Sequence, residues 1–95
     1  MAAYLIFDVE VTDPTAVDDY AKLANESLAP FQSKTILHGG MVEVLEGDWD
    51  PKTLVMLEFE SREQVQRWCK SPAYTKAKDI LHRIASLNVI LIEGV

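Results

Sequence analysis

The chain has 95 residues, 48% of them apolar and 25% charged, which suits one globular domain and leaves no room for a second core. Nine Lys and Arg stand against 15 Asp and Glu, so the net charge is −6, and no electrostatic footprint for DNA, RNA or an anionic membrane is present. Cys69, the one cysteine, excludes an intrachain disulfide framework and any multi-thiolate metal site; no apolar run is long enough to span a bilayer. The N-terminal MAAYLIFDVE lacks the basic segment and cleavage site of a secretory signal, so a cytoplasmic location is expected.

Ala3–Val11 alternates as a strand, with Leu5, Phe7 and Val9 on one face and Tyr4, Ile6 and Asp8 on the other. Asp13-Pro14 then opens a helix, Asp13 as N-cap and Pro14 at the first helical position. Val17, Tyr20, Ala24, Leu28 and Phe31 recur at three or four residues and form its apolar stripe, which Pro30 brings to an end. Thr35–Glu46 reads as a second strand interrupted by Gly39-Gly40, a pair that marks a bulge, a bend or a close approach. After the polar turn Gly47–Lys52, a third strand covers Thr53–Glu60.

Ser61-Arg62-Glu63-Gln64 has the pattern of a capping box, in which the serine hydroxyl bonds the Gln64 amide while the Gln64 side chain reaches back. Val65, Trp68 and Cys69 give this short helix its apolar face. Ser71-Pro72 interrupts it and restarts a longer helix with Ala73 or Tyr74, Ala77, Leu81 and Ile84 inward. Asn88–Ile92 is a short closing strand.

The order β-α-β-β-α-β is the split βαβ, ferredoxin-like arrangement of the α+β class. Two right-handed crossovers put both helices on one face of a four-stranded antiparallel sheet, in spatial order four, one, three, two. Alternation assigns Leu5, Phe7, Val9, Val42, Val44, Val55, Leu57 and Phe59 to the helix side. Tyr4, Ile6, Asp8, Met41, Glu43, Leu45, Leu54, Met56 and Glu58 go to the open side. So many apolar residues on a solvated face, mixed with three carboxylates, fit a sheet that meets a second copy of itself and leaves a polar cavity between them.

Several motifs together carry a resemblance: V-T-D-P at the first helix, H-G-G followed by E-V-L-E-G-D-W, then L-E-F-x-S, W-C-x-S-P-x-Y and the closing I-E-G-V. Across essentially its whole length the chain resembles the bacterial family called domain of unknown function 1330, within the dimeric α/β-barrel superfamily. The resemblance implies a ferredoxin-like protomer and a homodimer in which two sheets close a barrel-like core. That superfamily includes cofactor-independent monooxygenases, muconolactone isomerases and haem-binding chlorite dismutases. Cys69 follows Trp68 where the family usually carries Tyr.

Asp8, Glu43 and Glu58 share the open face, and the strands of Asp8 and Glu58 should be adjacent. Two carboxylates side by side in an apolar cavity would repel, lifting one toward a pKa useful to a general base; solvation or pairing with Lys or Arg is the alternative. His38, beside Gly39-Gly40, stands where a small ligand can approach the backbone and could relay a proton. His38 and His82 have no metal-ligand spacing and no axial haem ligand is evident, so neither metal nor cofactor is expected. Trp49, a large ring in a polar turn, either lids a pocket or plugs a seam between copies. Tyr20, Trp68 and Tyr74 pack inward, with polar tips that can line a cavity between helix and sheet. Arg83 either complements its helix dipole or anchors an anion; Cys69 is either a small buried hydrophobe, the commoner role of a lone helical cysteine, or a thiol depressed by Lys70.

Two functions fit these residues. One is a cofactor-independent isomerase or monooxygenase-like enzyme acting on a small organic molecule, with Asp8 or Glu58 as base and His38 and Trp49 shaping the pocket. The other is a non-catalytic dimeric metabolite-binding or stress-related module.

Overall fold

A computed structural model describes residues 2–94. Its elements are β1 (Ala3–Val11), a 3-10 turn (Pro14–Ala16), α1 (Val17–Leu28), β2 (Lys34–His38), β3 (Thr53–Phe59), α2 (Arg62–Lys70), α3 (Pro72–Ile84) and β4 (Ala85–Glu93). All strand pairs are antiparallel and the sheet order is β2-β3-β1-β4, the ferredoxin-like topology expected from the sequence. No helix among the described residues is long and apolar enough to cross a membrane.

Local chemistry sets the helix boundaries. The Asp13 carboxylate accepts from both the amide and the hydroxyl of Thr15, at 3.1 and 2.6 Å, and so caps the 3-10 turn that leads into α1. Ser61 Oγ accepts from the Gln64 amide at 3.2 Å, which is half of the expected capping box; Gln64 Oε1 is buried without a partner instead of reaching back. Ser71 separates α2 from α3. Extended at ψ 143° ahead of Pro72, it donates its hydroxyl to the Trp68 carbonyl at 2.7 Å and accepts from the Tyr74 amide at 3.2 Å.

Two strands differ from expectation. β2 ends at His38, because β3 begins only at Thr53 and the chain beyond Gly39 runs past the end of its partner. The Gly39 amide still donates to the Leu54 carbonyl at 2.8 Å, but Gly39 and Gly40 have φ of 75° and 107°, which takes the chain off the sheet. Val42, Val44, Met41, Glu43 and Leu45 therefore lie on neither sheet face; Met41 and Leu45 are 99% and 84% exposed. β4 is longer than expected, since α3 ends directly at Ile84 and Ala85, Ser86 and Leu87 pair with Val11, Glu10 and Val9.

The helix-side core contains Ala3, Leu5, Phe7, Leu57 and Phe59 from the sheet, with Val65, Trp68, Tyr74, Ala77, Leu81 and Ile84 from α2 and α3. Trp68 is its centre. Its ring stacks on Tyr74 at 3.8 Å between centroids and meets Phe59 at 5.5 Å.

Candidate functional site

Small side chains on α1 open a cavity in this core. Ala21 and Ala24 face the sheet where larger residues would fill the layer, and a cavity of about 290 Å³ lies between α1 and the inner sheet face. Phe7, Leu57, Trp68 and Leu81 form its buried floor, while Asn25, Thr35, His38 and Thr53 are exposed residues at its rim. His38 reaches it because it pairs with Val55 in the β2–β3 register, and so belongs to the helix side of the sheet. Tyr20 lines the same cavity, and burial pushes its phenol above the ordinary value, which keeps it a neutral hydrogen-bonding group.

The two carboxylates expected beside His38 are on the opposite face. Asp8 pairs with Leu54 and Glu58 with Tyr4, so both point away from the helices but stand four residues apart along the strands, roughly 13 Å. Asp8 and Glu58 are therefore not the side-by-side pair that the general-base reading required, and the apolar cavity lies on the helix side, away from both.

Each carboxylate has other company. Asp8 accepts from the Trp49 indole and from the Lys52 amide, both at 3.1 Å. The Lys52 ammonium, bonded to Asp50 at 2.9 Å, is held above its ordinary pKa chiefly by that carboxylate, with smaller contributions from Glu10 and Asp8. These groups border a polar recess of about 150 Å³ completed by Ser86 and Asn88. Glu58 stands opposite Lys34 on β2 and raises the pKa of the Tyr4 phenol beside it. Each carboxylate thus has a lysine among its neighbours, Lys52 in the turn beside Asp8 and Lys34 at the register position opposite Glu58.

Of the remaining candidates, Trp68 lines the cavity and Tyr74 lies behind it in the core, where burial pushes its phenol well up. Trp49 lids no cavity on the helix side, since its indole is fixed to Asp8 on the open face. Glu43 is exposed in the segment after β2, and Arg83 Nε donates to the Asp79 carbonyl on the surface of α3. The Cys69 thiol is raised by burial, and the cation opposing that shift is Lys78 on α3, not Lys70. Among the described residues, no group of three His, Cys, Asp or Glu side chains could hold a metal ion.

Sequence reasoning missed Asn25, Thr35 and Thr53 at the rim. The signal was available in the alternation, because Thr53 continues the inward series Val55, Leu57, Phe59, and an inward threonine at a strand end marks a wetted margin.

A family model described as Domain of unknown function (DUF1330) matches residues 2–95. The chain belongs to that family. A search of curated proteins gives no match. Among solved structures, this DUF1330 chain is similar to a protein of unknown function from Rhodopseudomonas palustris, at TM-score 0.76 and 16% identity over 99% of this chain and 82% of that one. A dimeric ferredoxin-like protein of unknown function from Jannaschia sp. CCS1 matches at TM-score 0.69 and 15% identity, over 99% of this chain and 100% of that one. SnoaB, a cofactor-independent oxygenase from Streptomyces nogalater, matches at TM-score 0.58 and 10% identity, over 99% and 91%. At these identities the likeness is one of fold.

Proposed function

We propose that this DUF1330 protein is a homodimer that takes up a small, largely apolar organic molecule in the cavity between α1 and the sheet, with His38 as the group able to exchange a proton with it. The observation that carries this reading is the cavity itself: about 290 Å³, an apolar floor, and one imidazole and one phenol in its lining. Sites for small organic molecules run to about 300–1,000 Å³, with apolar walls and a few polar groups that fix orientation.

A neutral imidazole at the rim can accept a proton from a weakly acidic C–H or O–H of the bound molecule. Proton removal begins an isomerisation, and it also generates the electron-rich anion that reacts with dioxygen without a cofactor. The shared fold of a cofactor-independent oxygenase supports this reaction class by analogy. Binding without turnover is the second reading, favoured by the position of Asp8, Glu43 and Glu58, none of which lines the cavity.

The dimer is supported by a row of apolar residues on the open sheet face, described below, and by the dimeric ferredoxin-like neighbour. Titrating 15N-labelled protein with 2-naphthol tests the cavity. The amide resonances of Ala24, Leu57 and Leu81 are expected to move, and Ala24→Leu, which fills the space, is expected to abolish the change while circular dichroism stays native. Absence of any shift at these residues up to millimolar naphthol would make the reading wrong. Loss of deuterium exchange at an acidic position of the bound molecule in His38→Ala, with binding retained, separates catalysis from storage.

A further inference from the structure

We infer that the molecule held in the cavity is uncharged at neutral pH, with its polar end at the rim beside His38 and its apolar body against Leu57 and Trp68. This rests on the proposed function and narrows it to a ligand class. Among the described residues, no Lys, Arg, Asp or Glu lines the cavity. An ion against the apolar floor would lose hydration with no fixed opposite charge beside it, and such burial is costly. The His38 imidazole at the rim is the one lining group among the described residues that can carry charge at neutral pH.

The polar atoms near the cavity do not alter that conclusion. The Trp68 indole N–H, at the floor, is already donated to Ser27 Oγ at 3.0 Å. The Ile84 carbonyl accepts from the Thr12 amide, the Thr12 hydroxyl and the Asp13 amide. The N-terminal end of α1 comes near at Val17, where a helix dipole favours an anion, but Asp18 and Asp19 occupy its first turn and the chain carries −6 overall. Nor do the aromatic residues form a cage for a cation: one face of Trp68 is covered by Tyr74, and Phe59 packs against the ring as well. Hydrogen-bonding capacity remains at Asn25, Thr35, His38 and Thr53 on the exposed margin and at the half-buried Tyr20 phenol, which fits a neutral hydroxyl or carbonyl on the ligand.

Three probes of one shape test this: 2-naphthol, 2-naphthoate and 2-naphthylmethylammonium, titrated by NMR at pH 7 and followed at Ala24, Leu57 and Leu81. The neutral probe is expected to bind about 100-fold more tightly than either ion. A tenfold or larger preference for naphthol over both ions supports the inference. If either ion binds these residues within tenfold of naphthol, the inference is wrong while cavity binding stands. If none of the three moves these resonances, the proposed function itself fails and the inference goes with it.

Discussion

The Trp68 indole N–H donates to Ser27 Oγ at 3.0 Å, and the same hydroxyl donates to the Ala24 carbonyl at 2.6 Å. One buried serine thereby satisfies the polar atom of the largest side chain in the core and ties α2 to α1. Ala24 is also a cavity residue, so the bond that orients Trp68 fixes one wall of the candidate site as well.

Ser27→Ala should therefore cost about 1–3 kcal/mol, the penalty for stranding a buried donor. For a chain of this size each kcal/mol lowers Tm by roughly 4–8 °C. Thermal unfolding followed by circular dichroism measures it. A Tm within 2 °C of the native value would mean that water replaces the serine and that the bond is not a structural tie.

On the open face, Asp8→Ala should free the Trp49 indole without unfolding the sheet. Both bonds to Asp8 are solvent-exposed, so the stability loss should stay within about 1 kcal/mol. The indole NH resonance of Trp49 is expected to shift upfield while that of Trp68 holds its position. An unmoved Trp49 resonance would show that the turn holds the ring unaided.

Alkaline pH should destabilise the protein through its tyrosines. Burial raises the phenols of Tyr20 and Tyr74 above 10.0, and Glu58 chiefly raises that of Tyr4. Above pH 10 the unfolded chain loses these protons first while the folded chain keeps them, so stability is complete below pH 10 and falls as pH rises toward the folded values. Urea midpoints should be flat in this respect from pH 8 to 9 and drop from 10 to 11.5, with a smaller drop in Tyr74→Phe. An equal drop in that variant would assign the effect to other groups.

The order of elements, the sheet order and most of the core were legible because each rests on a local period: alternation in Ala3–Val11 and Thr53–Phe59, and the three-to-four spacing of Val17, Tyr20 and Ala24. What was not legible depends on pairing. Met41–Glu46 alternates like a strand but has no partner strand among the described residues, since β3 starts at Thr53. Asp8 and Glu58 share a face, yet only the register shows them separated by four residues. His38 falls on the helix side because of the irregularity between Thr35 and Leu37, which shifts the parity of β2 after Ile36. That irregularity carries the histidine away from the carboxylates and into the cavity.

The same register decides where a second copy would bind. Leu37 pairs with Met56, Met56 with Ile6, and Ile6 with Ile90, so one apolar row crosses all four strands on the open face. Rows of mixed polarity flank it, Lys34, Glu58, Tyr4 and Ile92 on one side and Leu54, Asp8 and Asn88 on the other. Leu37 and Ile90 are 42% and 53% exposed, area that a partner would remove from water at about 25 cal/mol per Å². A two-fold axis through the row's centre sets each row against its own copy, with the polar rows at the margins. Met56→Lys puts an unpaired ammonium in the middle of that contact but leaves the helix-side core intact, so it should yield a folded monomer. Analytical ultracentrifugation at micromolar concentration is expected to show a native dimer and a Met56→Lys monomer with native circular dichroism. A native monomer would refute the dimer, and a dimeric Met56→Lys protein would move the contact to another surface, the exposed Met41–Leu45 segment first.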